Sequence, residues 1–195
     1  GDAGLRDAFG AKDRGQPLFG LDDHGLHQHA GEVAVQDDRI ELELLGWGMD
    51  EENWSFDYKT LHGDPGNPEI WLRLDDILEA TYPHASGIQL RIACACIDSG
   101  GHFTEEVYRY CQKKAREKRQ VYPIKGSSKD DTPMLGKWTR NNAYRVKMMM
   151  VGTHAAKETI YARLKTDTPG PGYSHFPAFY DDEYFDQLAA EKKVE

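Results

Sequence analysis

The chain has 195 residues, 39% of them hydrophobic, and a formal net charge of −9, which fits one domain with enough apolar residues for a core. No apolar run approaches the ~20 residues that a membrane-spanning helix needs, and the sequence does not begin with a basic segment followed by an apolar one. We therefore expect neither membrane insertion nor an export signal. An odd number of cysteines, three, does not make a disulfide framework, and we expect Cys94, Cys96 and Cys111 to be small buried side chains in a reducing compartment.

Charge is distributed unevenly along the chain. Residues 107–147 carry twelve Lys or Arg against three acids, whereas residues 22–106 hold nineteen of the thirty-three acids. The overall acidity argues against simple adhesion to nucleic acid, but a basic half beside an acidic half is typical of a protein that presents one face to a polyanion. A solvent-exposed helix face is the better interpretation of residues 109–119 taken alone.

The first third of the chain predicts an irregular lead and then three strands. Residues 1–30 show no sustained helical or strand period, and we interpret them as a lead or linker. Order is expected from about Gly31, with short apolar or alternating segments at residues 33–35, 40–44 and 54–58. Because short polar connections join these segments, the pattern predicts an antiparallel meander.

Helical spacing begins after the meander. Asn67 and Pro68 predict an N-cap and a first helical position for a helix that ends near residue 82. A strand is predicted from about residue 88 to Asp98. The remaining predicted elements are a helix at 102–118, a strand at 121–124, a polar loop at 126–143, a Met-rich strand at 145–151, an amphipathic helix at 155–164 and a short acidic helix at 181–192.

Asp98 is the first candidate site residue. It ends a continuous apolar run of strand length and precedes a Ser-Gly-Gly turn. A strand that is apolar throughout is buried on both faces, and the carboxyl end of such a strand is where open α/β sheets hold their ligands. On this pattern alone, a turn-forming aspartate that caps the next helix is an equally good interpretation.

The order of the predicted elements resembles that of the ribonuclease H-like fold. This resemblance implies an α/β domain with a mixed sheet, in which a three-stranded antiparallel meander continues into parallel strands, helices cover both faces, and the first and fourth strands are neighbours. Nucleases of this fold hold two divalent metal ions between carboxylates on adjacent strands. Mg²⁺ or Mn²⁺ held in this way stabilises both the attacking and the leaving oxygen of a phosphodiester displacement.

Six short motifs resemble the nuclease domain of lambda-type phage terminase large subunits, which cut and package viral DNA. The resemblance extends from about residue 33 to residue 192 and implies a nuclease domain over residues 31–195. It implies that Asp98 is a catalytic metal ligand and that a second aspartate belongs on the first strand, where this chain has Ala34. The motifs follow the family's order and lie in residues 35–48, 97–108, 124–128, 151–161, 175–177 and 184–191.

Three departures from the family pattern concern its acidic residues. Ala34 replaces the first aspartate, His154 replaces the aspartate of the family's Gly-Thr-Asp motif, and the family's final acidic helix lies beyond Glu195. Of the acids that the family places around its metals, only Asp98 is kept. A single carboxylate cannot hold two divalent ions that each need several oxygen ligands. We therefore expect weak binding of Mg²⁺ or Mn²⁺ and impaired cleavage.

Other candidate residues are basic or aromatic. Lys125, Lys129, Lys137 and Arg140 lie in or near the glycine-bearing loop after the fifth strand and are candidates for contacts with DNA phosphates. A solvent-exposed loop without a ligand is the alternative. His154 is a candidate for a position near the metal ions and Lys157 for one near a phosphate, although each could equally be a surface or capping residue. The four tryptophans, Trp47, Trp54, Trp71 and Trp138, are candidates for stacking on bases, but Trp54 and Trp71 lie on core-facing patterns that favour packing.

The sequence predicts the endonuclease domain of a phage or prophage packaging terminase, acting on double-stranded viral DNA in the host cytoplasm. No Gly-x-x-x-x-Gly-Lys-Ser/Thr loop occurs, so the ATPase domain is expected elsewhere in the same parent protein, and the family implies a small terminase subunit and a portal as partners. Two alternatives remain open: a non-catalytic nuclease-like module for DNA binding or assembly, and another ribonuclease H-like enzyme such as a junction resolvase.

Overall fold

The computed structural model describes residues 28–84 and 87–188. Most of the predicted lead and the end of the last predicted helix lie outside these residues. In chain order the elements are β1 (Gln28–Val35), β2 (Arg39–Trp47), a 3-10 turn (Met49–Glu51), β3 (Asn53–His62), α1 (Pro68–Glu79), β4 (Thr81–Pro83), β5 (Gln89–Asp98), α2 (Thr104–Arg116), β6 (Val121–Ser127), β7 (Leu135–Arg140), β8 (Lys147–Gly152), α3 (Thr153–Arg163), β9 (Ser174–His175) and α4 (Asp182–Leu188).

The first three strands form the predicted antiparallel meander. β2 alternates strictly, with Ile40, Leu42 and Leu44 buried and the residues between them partly exposed. This alternation is what an antiparallel strand with one apolar face requires. β1 pairs with β2, and β2 pairs with β3, both antiparallel. The tight turn between β1 and β2 is closed by Gln36 N–H, which donates to the carbonyl oxygen of Arg39 at 2.9 Å.

The strands form one mixed sheet in the order β7-β8-β6-β5-β1-β2-β3-β9, with β4 paired to β5. β5, β6 and β8 run parallel to β1, while β7 is antiparallel to β8. The predicted α/β fold with a ribonuclease H-like mixed sheet is confirmed. The prediction that the first strand and the strand of Asp98 are neighbours is also confirmed, because β1 and β5 pair directly.

Two helices bury their apolar sides on one face of the sheet, which we call the packed face. Asn67 caps α1 as predicted, since its side-chain oxygen accepts a bond from Glu69 N–H at 3.0 Å. Gly31 of β1 lies under α1, where an added Cβ would approach Leu78 Cδ2 to 3.3 Å. The packed face is completed by Val107 and Cys111 of α2.

The opposite face of the sheet, which we call the site face, carries more polar side chains. Glu43 of β2 points to this face, because its neighbours Leu42 and Leu44 lie in the core. Tyr184 of α4 donates a hydrogen bond to Glu43 at 2.7 Å, which places α4 against the site face. Helices therefore lie on both faces, as the fold predicts.

The predicted polar loop at residues 126–143 is wrong in part, because residues 135–140 form β7. β7 is an edge strand whose residues are almost all exposed. Such a strand has no buried side chains to produce an apolar alternation, which is the signal that sequence analysis relies on. α3 also departs from its predicted amphipathic character, since none of its described residues is buried.

Two further sequence expectations concern the cysteines and the membrane. Cys111 is buried, Cys94 and Cys96 are half-buried, and all three are free thiols. No helix among the residues that the structure describes is long and apolar enough to cross a membrane.

A buried lysine joins the two packed-face helices. Lys114 of α2 is only 2% exposed, and its Nζ lies 2.6 Å from Asp75, 2.6 Å from Glu79 and 3.0 Å from Glu117. Burial alone would lower the pKa of Lys114, but these carboxylates outweigh it and the pKa is raised. Burial likewise opposes the charge of Asp75, yet the hydrogen bonds from Lys114, Lys113 and Tyr110 lower its pKa. The lysine therefore stays charged and holds α1 against α2.

Replacing this lysine should destabilise the fold. Lys114→Ala leaves Asp75 without its buried cation, and we expect a loss of about 2–3 kcal/mol, below the 3–5 of a fully buried pair because Glu79 and Glu117 are partly exposed. Since the Asp75 pKa is depressed in the folded state, its stabilising contribution is present above the unfolded pKa of about 3.9 and is lost as the pH falls through the folded pKa. The difference in free energy of unfolding between wild type and variant, measured by urea unfolding, should become smaller below that pH.

Lys113→Ala is the matched control for this prediction. Lys113 is 49% exposed and also contacts Asp75, at 2.9 Å. An exposed pair contributes roughly 0–1 kcal/mol, so this variant should remain close to wild type. Equal losses for the two variants would show that the burial of Lys114 has no special role.

Candidate active site

Asp98 ends β5, with its side chain exposed on the site face. The neighbouring Ile97 is fully buried in the core, so alternation along the strand directs Asp98 to the other side. Its Oδ1 accepts a hydrogen bond from Gly100 N–H at 2.9 Å. This bond is an Asx turn that fixes the carboxylate at the strand end, while Oδ2 accepts no hydrogen bond from the residues that the structure describes.

The turn after Asp98 is held to neighbouring elements. Ser99 donates from both its backbone N–H and its hydroxyl to the carbonyl oxygen of Ile124 on β6, each at 2.8 Å. Thr104, the first residue of α2, donates from its hydroxyl to the carbonyl oxygens of Ser99 and Gly101 at 2.8 Å. These bonds tie the turn to β6 and to α2. Asp98 is thus turn-forming, as the alternative interpretation expected, but it does not cap α2, whose N-cap residue is Phe103.

Ala34 lies beside Asp98. Val33 of β1 pairs with Ile97 of β5. The next residues along these parallel strands, Ala34 on β1 and Asp98 on β5, therefore lie side by side. Ala34 also pairs with Glu41 of β2. The position where the family resemblance expects an aspartate therefore lies between two carboxylates, one on each adjacent strand, and in this chain it carries only a methyl group.

Three glutamates that sequence analysis did not single out share the site face with Asp98. Glu32 pairs directly with Glu43 across β1 and β2, and Glu41 lies two residues before Glu43. Both oxygens of Glu41 are bonded, one to Arg39 Nε at 2.5 Å and the other to the Tyr58 hydroxyl at 2.9 Å. The alternation of residues 40–44 placed Glu41 and Glu43 on one side of β2, but the pairing of Glu43 with Glu32 could not be read from the sequence.

The environments of Glu32 and Glu43 favour their neutral forms. Burial raises the pKa of Glu43 and outweighs the opposing hydrogen bonds from Ser55, Tyr184 and Tyr180. The neighbouring side chains on the sheet raise the pKa of Glu32, and the charge of Glu43 raises it further, but Glu32 is an exposed residue, so solvent screens both effects and the pKa shift of Glu32 is small. Two carboxylates in direct cross-strand contact repel each other when both are ionised.

The predicted basic residues divide into two groups. Lys125 and Lys129 lie at the end of β6 and in the turn after it, at the same end of the sheet as Asp98, and both are exposed. Lys125 follows Ile124, which pairs with Asp98. By strand alternation, however, Lys125 points to the packed side. Lys137 and Arg140 lie on β7, with Arg140 at the end away from this site.

The two residues predicted to support the site lie on α3. His154 is exposed near the start of the helix, with its Nε2 3.4 Å from a Glu158 oxygen. Lys157 is half-buried one turn later. The start of α3 lies close to the loop after β6, because a Cβ on Gly152 would lie 2.1 Å from the carbonyl oxygen of Thr132, a contact that only glycine permits. His154 is therefore at the Asp98 end of the sheet, but it is paired with an acid of its own helix.

A two-metal centre does not fit the residues present. Within residues 28–84 and 87–188, no group of three or more His, Cys, Asp or Glu side chains is placed to hold a metal ion. Asp98 offers one free carboxylate oxygen, Ala34 offers none, and Glu41 is engaged on both oxygens. Hard divalent cations need about six oxygen ligands, several of them from the protein.

The sheet order, with an aspartate on a central parallel strand beside the first strand of a meander, defines a nuclease-like α/β domain of the ribonuclease H-like class. Over residues 24–195 the chain matches the family model described as the endonuclease domain of the terminase large subunit gpA. The chain belongs to this family of terminase endonuclease domains.

Two curated relatives agree with this assignment. The terminase large subunit of Escherichia phage lambda is 34% identical over 170 residues, which cover 84% of this chain and 26% of the relative. The terminase large subunit of Enterobacteria phage P21 is 35% identical over 166 residues, which cover 83% of this chain and 25% of the relative. The chain thus spans about a quarter of the length of these relatives. No solved structure matches it at a significant level.

Removing one acid of the Glu32–Glu43 pair should stabilise the domain at neutral pH. Because both pKa values are raised in the folded state, the pair costs stability as the pH rises through them, while at low pH both groups are neutral. We expect Glu32→Gln to raise the free energy of unfolding at pH 7 by roughly 0.5 kcal/mol, the scale of a cross-strand pair, and to have no effect near pH 4. Chemical unfolding at the two pH values measures this difference.

Asp76→Asn is a suitable control, because it removes an exposed acid on α1, on the far side of the sheet. The effect of Asp76→Asn on the free energy of unfolding should be the same at pH 4 and at pH 7, unlike that of Glu32→Gln. A Glu32→Gln variant that is less stable than wild type at pH 7 would contradict the repulsion inferred here.

Proposed function

We propose that this chain is part of a phage or prophage DNA-packaging terminase whose nuclease cleaves double-stranded viral DNA by metal-dependent phosphodiester hydrolysis, and that the chain as it stands cleaves weakly or not at all. Membership in the terminase endonuclease family supports the first part. The observation that supports the second part is Ala34, which lies beside Asp98 where a second carboxylate is expected.

The chemistry of phosphodiester hydrolysis explains why Ala34 matters. The reaction places negative charge on the attacking and leaving oxygens, and in the family two divalent ions, Mg²⁺ or Mn²⁺, neutralise that charge. Asp98 is in place to hold such an ion through its free Oδ2. A methyl group at position 34 removes the oxygens that would bridge the same ion from β1, so ion binding at Asp98 alone is weak.

DNA binding in this proposal depends on cations around the strand ends. Lys129, in the turn at the Asp98 end of the sheet, would contact phosphates, and Lys125 would reach them around the end of β6, since its side chain leaves the strand on the packed side. Lys137 and Arg140 would contact phosphates farther along the hairpin. Contacts of this kind fix the position of the DNA and carry no sequence information. His154 would supply a donor near the same end, and Lys157 a further cation.

The partners of the parent protein are part of the proposal. Because the chain covers about a quarter of its relatives, the ATPase domain would belong to another part of the same parent protein. A small terminase subunit and a portal would be its assembly partners, and the host cytoplasm its place of action.

A second candidate function is a nuclease-like module that binds DNA or assembles without cleaving it. Ala34 favours this alternative, because it removes a carboxylate and leaves the fold intact: its small side chain sits on β1 without disturbing the pairing with β2 and β5. The two candidates differ in whether restoring the carboxylate restores cleavage.

Ala34→Asp tests the proposal directly. The new carboxylate would lie beside Asp98, and we expect it to raise the affinity for Mn²⁺ by about tenfold or more, because two carboxylates then share one ion. Isothermal titration with Mn²⁺ measures binding, and nicking of supercoiled plasmid in Mn²⁺ measures cleavage. The unaltered chain should show little Mn²⁺ binding and little plasmid nicking. The same substitution in a chain that continues past Glu195 should give the larger gain in cleavage.

Ala34→Asn is the matched control, because it has nearly the shape of aspartate without the charge. It should behave like the unaltered chain in both measurements. Robust metal-dependent cleavage by the unaltered chain would overturn the proposed impairment, and cleavage confined to branched DNA would favour a junction resolvase over a packaging nuclease.

A further inference from the structure

A second surface on the site face combines exposed aromatic rings with cations. It consists of Tyr122 on β6, Trp138 and Arg140 on β7, and Lys147 on β8, and we call it the hairpin surface. The Trp138 side chain is 44% exposed. The Lys147 Nζ lies 4.2 Å from the centre of the Trp138 ring and 5.9 Å from that of Tyr122. The two ring centres are 4.9 Å apart.

The β7–β8 hairpin itself contributes cations and no acid. Residues 132–152 contain four cations, Lys137, Arg140, Arg145 and Lys147, and no acid, in a chain whose net charge is −9. None of the four forms an ion pair with a carboxylate in the part of the chain that the structure describes. The Arg140 Nε donates to the carbonyl oxygen of Arg145 at 3.0 Å, which keeps the guanidinium on the hairpin. Such a surface is complementary to a polyanion.

The hairpin surface is aligned with Asp98. Trp138 pairs with Met149, Met149 with Ile124, and Ile124 with Asp98. Residues that pair directly point to the same face of a sheet, so Trp138 and Asp98 share the site face. They are three strands apart, which at ~4.8 Å per strand is about 14 Å. A DNA strand whose phosphate lies at Asp98 therefore reaches Trp138 within a few nucleotides, at 3.4 Å of rise each.

We propose that the hairpin surface binds unpaired nucleotides of the DNA strand that passes Asp98, with Trp138 stacked on a base and Arg140 and Lys147 on the adjoining phosphates. The inference rests on the proposed function, because it takes DNA as the substrate. In a duplex the base faces are covered by their neighbours, so an exposed indole meets a base face only where a strand is unpaired or frayed. Stacking of this kind tolerates any sequence, and cations beside the ring serve the backbone.

Lys147 has two partners in this proposal. Without DNA its ammonium group lies over the Trp138 ring, where the negative face of the ring attracts it. Its flexible four-carbon stem allows the ammonium group to leave the ring for a phosphate while β8 stays in place. The ring face that it leaves then becomes available to a base.

The test compares binding of single-stranded and duplex DNA in metal-free buffer, where no cleavage occurs. Fluorescence anisotropy is measured with a labelled oligonucleotide of about twenty nucleotides, long enough to span the surface, and with a blunt duplex of the same sequence. We expect the unaltered chain to prefer the single strand. Trp138→Ala should weaken single-strand binding about tenfold and leave duplex binding nearly unchanged, whereas Trp138→Phe should keep most of the affinity.

Two cation variants complete the experiment. Lys147→Gln should weaken binding and reduce the slope of log affinity against log salt concentration by about 1, as expected for one lost phosphate contact. Lys118→Gln removes an exposed cation just after the C-terminal end of α2, at the end of the sheet away from Asp98, and should change neither quantity. The melting temperature of every variant is measured, and if Trp138→Ala lowers it, Trp138→Phe and Lys147→Gln decide the outcome.

The inference is overturned if Trp138→Ala binds single-stranded DNA as tightly as the unaltered chain, if it loses single-strand and duplex binding in parallel, or if no DNA binds at all. None of these results decides the proposed function, which is judged by cleavage and Mn²⁺ binding of Ala34→Asp. If Ala34→Asp gains neither Mn²⁺ binding nor cleavage while the chain still prefers single-stranded DNA, the hairpin surface would belong to a module that binds DNA without cleaving it.

Discussion

The parallel pairing of β1 with β5 is the constraint on which the rest of the structure depends. It joins segments about sixty residues apart in the chain and places the antiparallel meander beside the parallel half of the sheet. Pairing over such a separation is entropically costly, so it needs buried side chains to hold it. Val33 and Ile97 provide them on the packed face, and the packing of Leu78 against Gly31 holds α1 over the junction.

Charge is separated across the site face as a consequence of this strand order. The acids of β1 and β2 lie on one side of Asp98, and the cations of the β7–β8 hairpin lie on the other. A polyanion at Asp98 would be repelled from the first side and attracted to the second, so under the proposed function the DNA would extend toward β7. The raised pKa values of Glu32 and Glu43 soften the repulsion, because the neutral form of either acid carries no charge.

The sequence predicted the elements whose periodicity comes from burial. The alternation of β2, the Asn67 cap and the strand before Asp98 each reflect a local physical requirement, and all three are present. The expectation that this strand is buried on both faces is wrong, because β5 alternates between buried residues and exposed or half-buried ones. β7 was missed because an exposed edge strand leaves no apolar alternation. Of the candidate site, Asp98 and its proximity to Ala34 were predictable through the fold, whereas the Glu32–Glu43 pair and the Trp138–Lys147 contact depend on strand register, which local patterns do not specify.

The register of β1 also explains why a nearby acid cannot replace the missing one. A slip of one residue would turn Val33 onto the site face and expose it. A slip of two residues would preserve the faces and bring Glu32 to the position of Ala34. It would also bring His29 to the place of Gly31, where even a single added carbon atom comes within 3.3 Å of Leu78, and it would leave a glycine in the pocket of Val33. The overpacking at one site and the cavity at the other would each cost about 1–3 kcal/mol, so β1 keeps Ala34 beside Asp98.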